Sequence, residues 1–263
     1  MELDIYIVDA FTQQQFKGNP AAVVLVQDWP QSAVMQNIAA ENNLSETAFV
    51  KPLSSHQFQI RWFSPLTEID FCGHATLASS FVIFNQLGHQ GEIEFLTSQV
   101  GALQVNQLDD GRIEMSFPNQ IPTPVEQIPQ ALTQGLSSQP IQVLKNRQAY
   151  FAVLSSEEDV KNLVYKPEII KQLAPLDVVV TAKAKDYDFI SRYFWPANGG
   201  DEDPVTGSIH AGLAPYWAEQ LNQSDLVAYQ ASLRGGILYC HVAQERISVS
   251  GFGVLYMQGK IFL

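Results

Sequence analysis

The second half of this chain repeats part of the first. At a constant offset of 134 residues the halves share identical positions without a gap: Glu68, Gly73, Gln86, Leu87, Ser98, Gly101, Arg112, Ile113 and Ser116 recur as Glu202, Gly207, Gln220, Leu221, Ser232, Gly235, Arg246, Ile247 and Ser250. Upstream, residues 58–65 read again as 189–196, and the Thr-Ala pair at 47–48 matches the pair at 181–182. Repeated sequence requires repeated supersecondary structure. We therefore expect two similar halves related by a pseudo-twofold axis.

Composition narrows the class of protein. The 263 residues, 46% of them hydrophobic, suffice for two cores. A net charge of -12 disfavours nucleic acid and anionic membrane surfaces as partners. Residues 1–6 lack the basic start of a signal peptide, and no uncharged apolar run of about 20 residues occurs. We expect a cytoplasmic protein.

No cofactor or metal motif is present in the sequence. Cys72 and Cys240 are too few for a disulfide framework and lack the spacing of a zinc site. The sequence contains neither a Walker-type phosphate loop nor a Gly-x-Gly-x-x-Gly turn between a strand and a helix. We expect no cofactor and no metal.

Hydrophobic periodicity predicts mostly β structure with one buried helix in each half. Strands are expected at 3–11, 21–26, 47–50, 58–63, 93–96, 103–108 and 113–117, with counterparts of the last three within 226–249. A helix is expected over 31–42. The runs 75–87 and 209–221 are apolar on nearly every side, which is typical of helices inside a domain. The predicted fold class is α+β, with two duplicated halves each wrapped round a central helix.

Prolines mark the predicted boundary between the halves. Five of them lie between residues 118 and 140. We predict an N-terminal half at 1–118, a linker at 119–140 and a C-terminal half at 141–253. Residues 254–263 extend beyond the repeat and are expected to form a strand that pairs back onto the first half.

Two glycine-centred turns, at 68–76 and 202–210, lead into the predicted buried helices. The free N–H groups and the dipole of a helix start bind carboxylates and other anions. If the halves face each other, both helix starts reach one cleft. A small carboxylic acid is therefore the expected ligand, held against the N–H groups around Gly73 and Gly207.

The matched turns carry different side chains, and a specific reaction would arise from this difference. The paired positions are Cys72 with Thr206, His74 with Ser208, Ile69 with Asp203, and Glu46 with Val180. Glu46 lies between a helix and an apolar strand, where partial burial suits a carboxylate that exchanges protons. An acid–base pair can thus draw one member from each half.

Structural roles also fit each candidate. Glu46 could be a solvated or capping glutamate, and His74 could be bonded to backbone carbonyls at its helix start. Asp203 precedes a proline and could stabilise a turn, and Ser208 could cap the following helix. A thiol at a helix start such as Cys72 would have a lowered pKa. A two-thiol racemase, however, needs a second cysteine where Thr206 stands, so we interpret Cys72 as structural.

Six motifs in order resemble the phenazine-biosynthesis isomerase-like (PhzF-like) family over essentially the whole chain. They are Asp9-Ala-Phe, Gly18-Asn-Pro-Ala-Ala-Val23, Leu44-Ser-Glu-Thr-Ala-Phe-Val50, Asp70-Phe-Cys-Gly-His-Ala-Thr-Leu-Ala78, Asp203-Pro-Val-Thr-Gly-Ser208 and Arg234-Gly-Gly236. The resemblance implies a diaminopimelate epimerase-like fold with two β-barrel-like halves, a homodimer and cofactor-independent chemistry.

The resemblance also implies residue roles. In the family, a glutamate at the position of Glu46 moves a proton within a hydroxylated cyclohexadiene carboxylic acid, and residues at His74, Asp203 and Ser208 assist the transfer. We expect these four to be catalytic. Substrate contacts are expected from Asn19, Ser45, Gly73, Ala75, Thr76, Thr206 and Gly207.

The leading hypothesis is therefore a cofactor-independent isomerase that acts on a small carboxylic acid. Two alternatives remain at this point. One is a non-catalytic protein that binds a small metabolite, and the other is a racemase or epimerase of an amino acid or hydroxy acid.

Overall fold

The computed structural model describes all residues 1–263, which form two compact units. The first unit comprises residues 1–116 and 250–263, and the second comprises residues 117–249. None of the helices has the length and apolar character needed to span a bilayer.

The first unit is mainly β structure around one buried helix. Its strands are β1 Glu2–Ala10, β2 Asn19–Leu25, β3 Glu46–Pro52, β4 Gln57–Phe63, β5 Glu68–Ile69, β6 Ile93–Leu96, β7 Ala102–Gln107 and β8 Ile113–Pro118, whose end reaches the second unit. Its helices are α1 Ser32–Asn42 and α2 Gly73–Phe81, and a π-helical turn over Val82–Gln86 extends α2. Helix α2 packs against β1, β2 and β3.

Helix α2 is buried along almost its whole length. Every residue from Gly73 to Ser80 is buried, as expected for a run that is apolar on all sides. Three hydroxyls in this helix bond to backbone carbonyls one turn earlier: Thr76 to Cys72, Ser79 to Ala75, and Ser80 to Thr76. These bonds satisfy the polar groups that the helix carries into the core.

The turn between β1 and β2 depends on Gly18. Its φ of +64° lies in the left-handed region, and a Cβ atom there would lie 2.1 Å from the carbonyl oxygen of Ala10. A side chain is therefore excluded by both backbone strain and lack of space. The turn places Asn19 at the start of β2, fully buried.

The second unit repeats this plan. Its strands are β9 Thr123–Pro124, β10 Gln142–Lys145, β11 Ala149–Val153, β12 Asp177–Lys183, β13 Phe189–Phe194, β14 Glu202–Asp203, β15 Asp225–Gln230, β16 Gly236–Val242 and β17 Arg246–Gly251, whose end reaches the first unit. Its helices are α3 Gln130–Gly135, α4 Glu157–Lys161, α5 Pro167–Ile170 and the buried α6 His210–Leu221, and short 3₁₀ turns lie at Lys171–Leu173 and Pro196–Asn198. The observed architecture confirms the predicted α+β class.

Two segments lie outside the repeated elements. Residues 119–140 contain β9 and α3, and Leu132 lies fully buried in the core of the second unit. The last strand, β18 Gly253–Phe262, pairs antiparallel with β1 in the first unit.

Each unit contains an equivalent ion pair, which reflects the duplication. Arg61 binds Glu68 through Nε and an Nη atom, at 2.7 and 2.6 Å. Arg192 binds Glu202 in the same bidentate way, at 2.7 and 2.9 Å. Each arginine connects the strand before the glycine-centred turn to the short strand that leads into it.

Strand register extends the equivalence to single residues. In the short hairpin before the first turn, Trp62 pairs with Ile69 and Phe63 with Glu68. In the short hairpin before the second turn, Tyr193 pairs with Asp203 and Phe194 with Glu202. In the preceding hairpins, Thr47 lies opposite Phe63 and Val178 lies opposite Phe194. The residue before Thr47 in β3 therefore corresponds to the residue before Val178 in β12.

This register corrects one sequence expectation. The structural counterpart of Glu46 is Asp177, and each is the first residue of its strand. The expected match of Glu46 with Val180 is wrong, as is the match of Thr47 with Thr181. The two Thr-Ala pairs agree in sequence but occupy different positions along their strands.

We predict that His210 makes the second unit sensitive to acid. Its imidazole is fully buried, with Nδ1 2.9 Å from the Thr206 carbonyl and no hydrogen-bond partner for Nε2. Burial lowers its pKa from 6.5 to about 4. Below pH 6.5 His210 becomes protonated in the unfolded chain but stays neutral in the folded protein. Acidification to pH 4 should therefore lower the free energy of unfolding by roughly 3 kcal/mol.

The measurement is chemical denaturation at pH 7 and pH 4 for wild type and His210→Asn, which keeps an N–H donor but does not titrate. The stability advantage of wild type over the variant should shrink by roughly 3 kcal/mol at pH 4. His241→Asn is the control, because that histidine lies exposed beside Asp225. An equal advantage at both pH values would contradict the prediction.

Candidate active site

A carboxylate and an imidazole meet in the interior of the first unit. Glu46 Oε2 lies 3.0 Å from His74 Nε2, and only 10% and 5% of the two side chains are exposed. Glu46 opens β3, and His74 is the second residue of α2. The start of a strand and the start of a helix thus place the two predicted catalytic groups of this unit in direct contact.

Asn19 contacts the other ring nitrogen of this histidine. Its Nδ2 lies 3.1 Å from His74 Nδ1, and the asparagine is fully buried. With Nε2 facing a carboxylate and Nδ1 facing an amide, the ring is held from both sides. A protonated Nδ1 donates, so the Asn19 amide then presents its oxygen to the ring in place of its NH₂ group. The structure therefore places Asn19, predicted to contact substrate, against the side chain of His74.

Two opposing effects set the pKa of His74. Burial alone would lower it, whereas the neighbouring Cys72 and Glu46 raise it, and the net result lies well above the ordinary 6.5. The Glu46 carboxylate is the cause that acts near neutral pH, since the Cys72 thiol remains protonated there. The imidazole therefore holds a proton next to the carboxylate.

Burial overturns the expected lowered pKa of Cys72. Its Sγ lies 3.4 Å from His74 Nδ1, but burial and then the Glu46 charge raise its pKa to about 11. The helix start does not compensate for the loss of water around the thiol. Cys72 is thus a protonated thiol. In this form it can act neither as a base nor as a thiolate nucleophile.

The same three residues form the donor set closest to a cation site. The donor atoms of Glu46, Cys72 and His74 all lie within 4.8 Å of one another, and oxygen, sulfur and nitrogen are ligands that zinc accepts. In the metal-free protein the Cys72 thiol keeps its proton. We therefore interpret the cluster as a proton-holding group.

The remaining predicted residues of this unit lie next to Glu46 and His74 in the sequence. Gly73, Ala75 and Thr76 are buried in the first turn of α2, and Ser45, half-buried, precedes β3. The Thr76 hydroxyl already donates to the Cys72 carbonyl at 2.6 Å. This bond satisfies the buried hydroxyl within its own helix.

In the second unit, Asp203 and Thr206 belong to one hydrogen-bonded turn. The Thr206 hydroxyl donates to Asp203 Oδ2, and its N–H donates to Gln230 Oε1 at 2.9 Å. Gln230 is fully buried and donates in turn to the Asp203 carbonyl at 2.9 Å. Gly207 follows, also buried. The turn is therefore fixed by side chains.

Ser208 does not cap α6, the structural role that its position allowed. No side chain caps this helix. Instead Gln148 Nε2 donates to Ser208 Oγ at 2.9 Å and to the Tyr193 hydroxyl at 3.1 Å, and Tyr193 donates to Asp177 Oδ2 at 2.5 Å. Gln148, Tyr193 and Asp177 were not predicted as site residues from the sequence. The repeat of 58–65 at 189–196, extended backwards without a gap, would have matched Glu46 to Asp177.

Comparison with known proteins identifies the family of the chain. Residues 8–259 match the family described as "Phenazine biosynthesis-like protein". An uncharacterized isomerase of Pseudomonas aeruginosa is 44% identical over the full length of both chains.

Solved structures extend the likeness to the fold. The crystal structure of a phenazine biosynthesis protein of the PhzF family from Enterococcus faecalis has a TM-score of 0.95 and 42% identity, with full coverage of both chains. A predicted epimerase of Pseudomonas aeruginosa has a TM-score of 0.76 at 19% identity, covers 99% of each chain, and is alike in fold alone. The chain therefore belongs to the phenazine biosynthesis-like (PhzF-like) family of isomerases.

Proposed function

We propose that this protein isomerises a small, unsaturated carboxylic acid by moving one proton, with Glu46 as the base and then the acid. The observation that carries the proposal is the buried 3.0 Å contact between Glu46 and His74. A carboxylate desolvated beside a proton donor is suited to take a proton from carbon and return it.

The proposed reaction conserves atoms and electrons. The C–H bond next to the double bond breaks, its proton goes to the Glu46 carboxylate, and its electron pair shifts along the double bond toward the substrate carboxyl group. Glu46 then returns the proton to a carbon further along this system, and the double bond ends in a new position. No oxidant, reductant or cofactor is needed, and we propose that none is used.

His74 has two proposed tasks in this cycle. Its protonated ring faces Glu46 and stabilises the carboxylate before the proton arrives. Once Glu46 is protonated, the positive imidazole is available to the negative charge that develops on the substrate. The contact with the Asn19 amide, whose oxygen accepts from the protonated ring, keeps the ring aligned for both tasks.

Asp203 and Ser208 remain proposed catalytic residues on the basis of the family resemblance. The hydrogen bonds that fix the turn from Asp203 to Thr206 support a role in holding the substrate in place. We further propose a cytoplasmic homodimer, as the resemblance implies. Sedimentation velocity tests the dimer, which a monomer at micromolar concentration would exclude.

The first prediction from this proposed function concerns Glu46→Gln, which keeps the size of the side chain but removes the base. Turnover of a hydroxylated cyclohexadiene carboxylic acid, and incorporation of solvent deuterium into it, should fall by about 10²–10⁴-fold. Both are followed by NMR in D₂O. Binding of the acid should change little, because the amide still fills the site.

Glu41→Gln is the matched control in the same unit. That carboxylate is exposed near the end of α1, so its loss should leave exchange near the wild-type rate. Full deuterium incorporation by Glu46→Gln would contradict the proposed function. Binding of the acid by wild type without any exchange would favour a non-catalytic binding protein instead.

The second prediction separates this reaction from thiol-based racemisation. Because burial keeps the Cys72 thiol protonated and Thr206 stands where a second thiol is needed, Cys72→Ser should retain deuterium exchange within about threefold. The assay is the same, with Cys240→Ser as the control at the other buried cysteine. Abolished exchange in Cys72→Ser together with full exchange in Glu46→Gln would favour a racemase.

A further inference from the structure

The second unit contains its own half-buried carboxylate at the position that Glu46 occupies in the first. Asp177 opens β12 as Glu46 opens β3. Glu46 contacts His74 directly, and the counterpart of His74 is Ser208. Asp177 instead connects to Ser208 through two intervening side chains. The same two positions of the repeat are therefore linked in both units, but by different chemistry.

The connection consists of three hydrogen bonds in series. Tyr193 Oη lies 2.5 Å from Asp177 Oδ2, Gln148 Nε2 lies 3.1 Å from Tyr193 Oη, and the same Nε2 lies 2.9 Å from Ser208 Oγ. Asn198 Nδ2 donates to the other oxygen of Asp177 at 2.7 Å. Each oxygen of the carboxylate thus accepts a hydrogen bond, and these two bonds favour the ionised form of Asp177 against the burial that raises its pKa.

The directions of these hydrogen bonds follow from which side-chain atoms carry a hydrogen that can be donated. An ionised carboxylate can only accept, so the single hydroxyl hydrogen of Tyr193 goes to Asp177. The Tyr193 oxygen must then accept from Gln148, which orients the amide with its NH₂ group toward Tyr193. One amide hydrogen is used there, and the second is donated to Ser208. Asp177 therefore fixes the orientation of the whole series.

Burial keeps the middle of the series from losing its proton. The Tyr193 side chain is buried, and burial followed by the Asp177 charge raises its pKa well above the ordinary 10. An amide N–H does not dissociate near neutral pH either. The series therefore transmits orientation and polarisation, and does not carry protons.

The end of the series determines what Ser208 can offer a ligand. Its Oγ accepts from Gln148, which is its only side-chain hydrogen-bond partner in the structure. Its hydroxyl hydrogen is consequently available for another acceptor, and the residue is half-buried, so it is not sealed from solvent. A carbonyl or carboxylate oxygen is the group that such a hydrogen binds.

We propose that Asp177, Tyr193 and Gln148 are positioning residues that hold Ser208 as a hydrogen-bond donor to an oxygen of the carboxylic acid substrate. The inference rests on the proposed function for the identity of the ligand. The network itself is a property of the free protein, so it can be tested separately. The duplicated fold thus uses one carboxylate for proton transfer and its counterpart to orient a binding hydroxyl.

The first test is NMR of the free protein, which involves no substrate. The two side-chain amide hydrogens of Gln148 are assigned by their disappearance in Gln148→Met. Ser208→Ala should shift one of them upfield and Tyr193→Phe the other, because each variant removes one acceptor. Tyr216→Phe is the matched control, since that hydroxyl bonds to Gln142 in the same unit at 2.9 Å. Gln148 hydrogens that respond to neither variant would overturn the proposal.

The second test is a double-mutant cycle on isomerisation of the cyclohexadiene carboxylic acid. Gln148→Met keeps the length of the side chain and removes both donors, and kcat/KM should fall about 10-fold, with most of the change in KM. Ser208→Ala should cause a similar loss, and the double variant should lose no more than Ser208→Ala alone. A purely structural role for Gln148 would instead multiply the two losses, and that result would overturn the proposal.

Conservative variants and controls complete the design. Tyr193→Phe should raise KM in the wild-type background but not in the Ser208→Ala background, while Tyr216→Phe should match wild type. If the wild-type protein turns over nothing, or Glu46→Gln keeps full activity, the proposed function fails. The amide hydrogens of Gln148 still decide between the network and its absence.

Discussion

The contact between Glu46 and His74 is the constraint on which the rest of the first unit depends. A buried carboxylate is costly without a partner, and the imidazole 3.0 Å away supplies one. The partner is in reach because β3 and α2 begin beside each other in the core. Gly18 turns the chain so that Asn19 supports the ring from its other side. Backbone geometry thus makes an otherwise unfavourable pair stable and chemically useful.

The duplicated fold provides a common frame with different chemistry in its two copies. Each unit holds the strand before its glycine turn with a bidentate ion pair, Arg61 with Glu68 in one and Arg192 with Glu202 in the other. Because this support is independent of the buried groups, those groups could diverge between the copies. One carboxylate now faces an imidazole, and the other faces a tyrosine. The asymmetry favours a directed proton shift over a symmetric two-thiol reaction.

Much of the architecture was predictable, because apolar periodicity and the repeat are properties of the sequence alone. The buried helices follow from these signals. The contact between Glu46 and His74 does not, because the sequence indicated an acid–base pair with one member from each half, and both residues lie in the first unit. The role of Asp177 was not predictable from the offset of 134, because insertions change the offset along the chain and only strand register resolves it. The pKa of Cys72 was predicted in the wrong direction, since a sequence shows a helix start but not how completely it is buried.

The most direct measurement is an NMR titration of the His74 ring nitrogens in wild type and in Glu46→Gln. We expect the wild-type imidazole to titrate well above pH 6.5, and its pKa to fall markedly once the carboxylate is removed. Both ring nitrogens should carry protons at neutral pH in the wild-type protein. A histidine that titrates near 6.5 in both proteins would contradict the account, because the pair would then hold no proton to share.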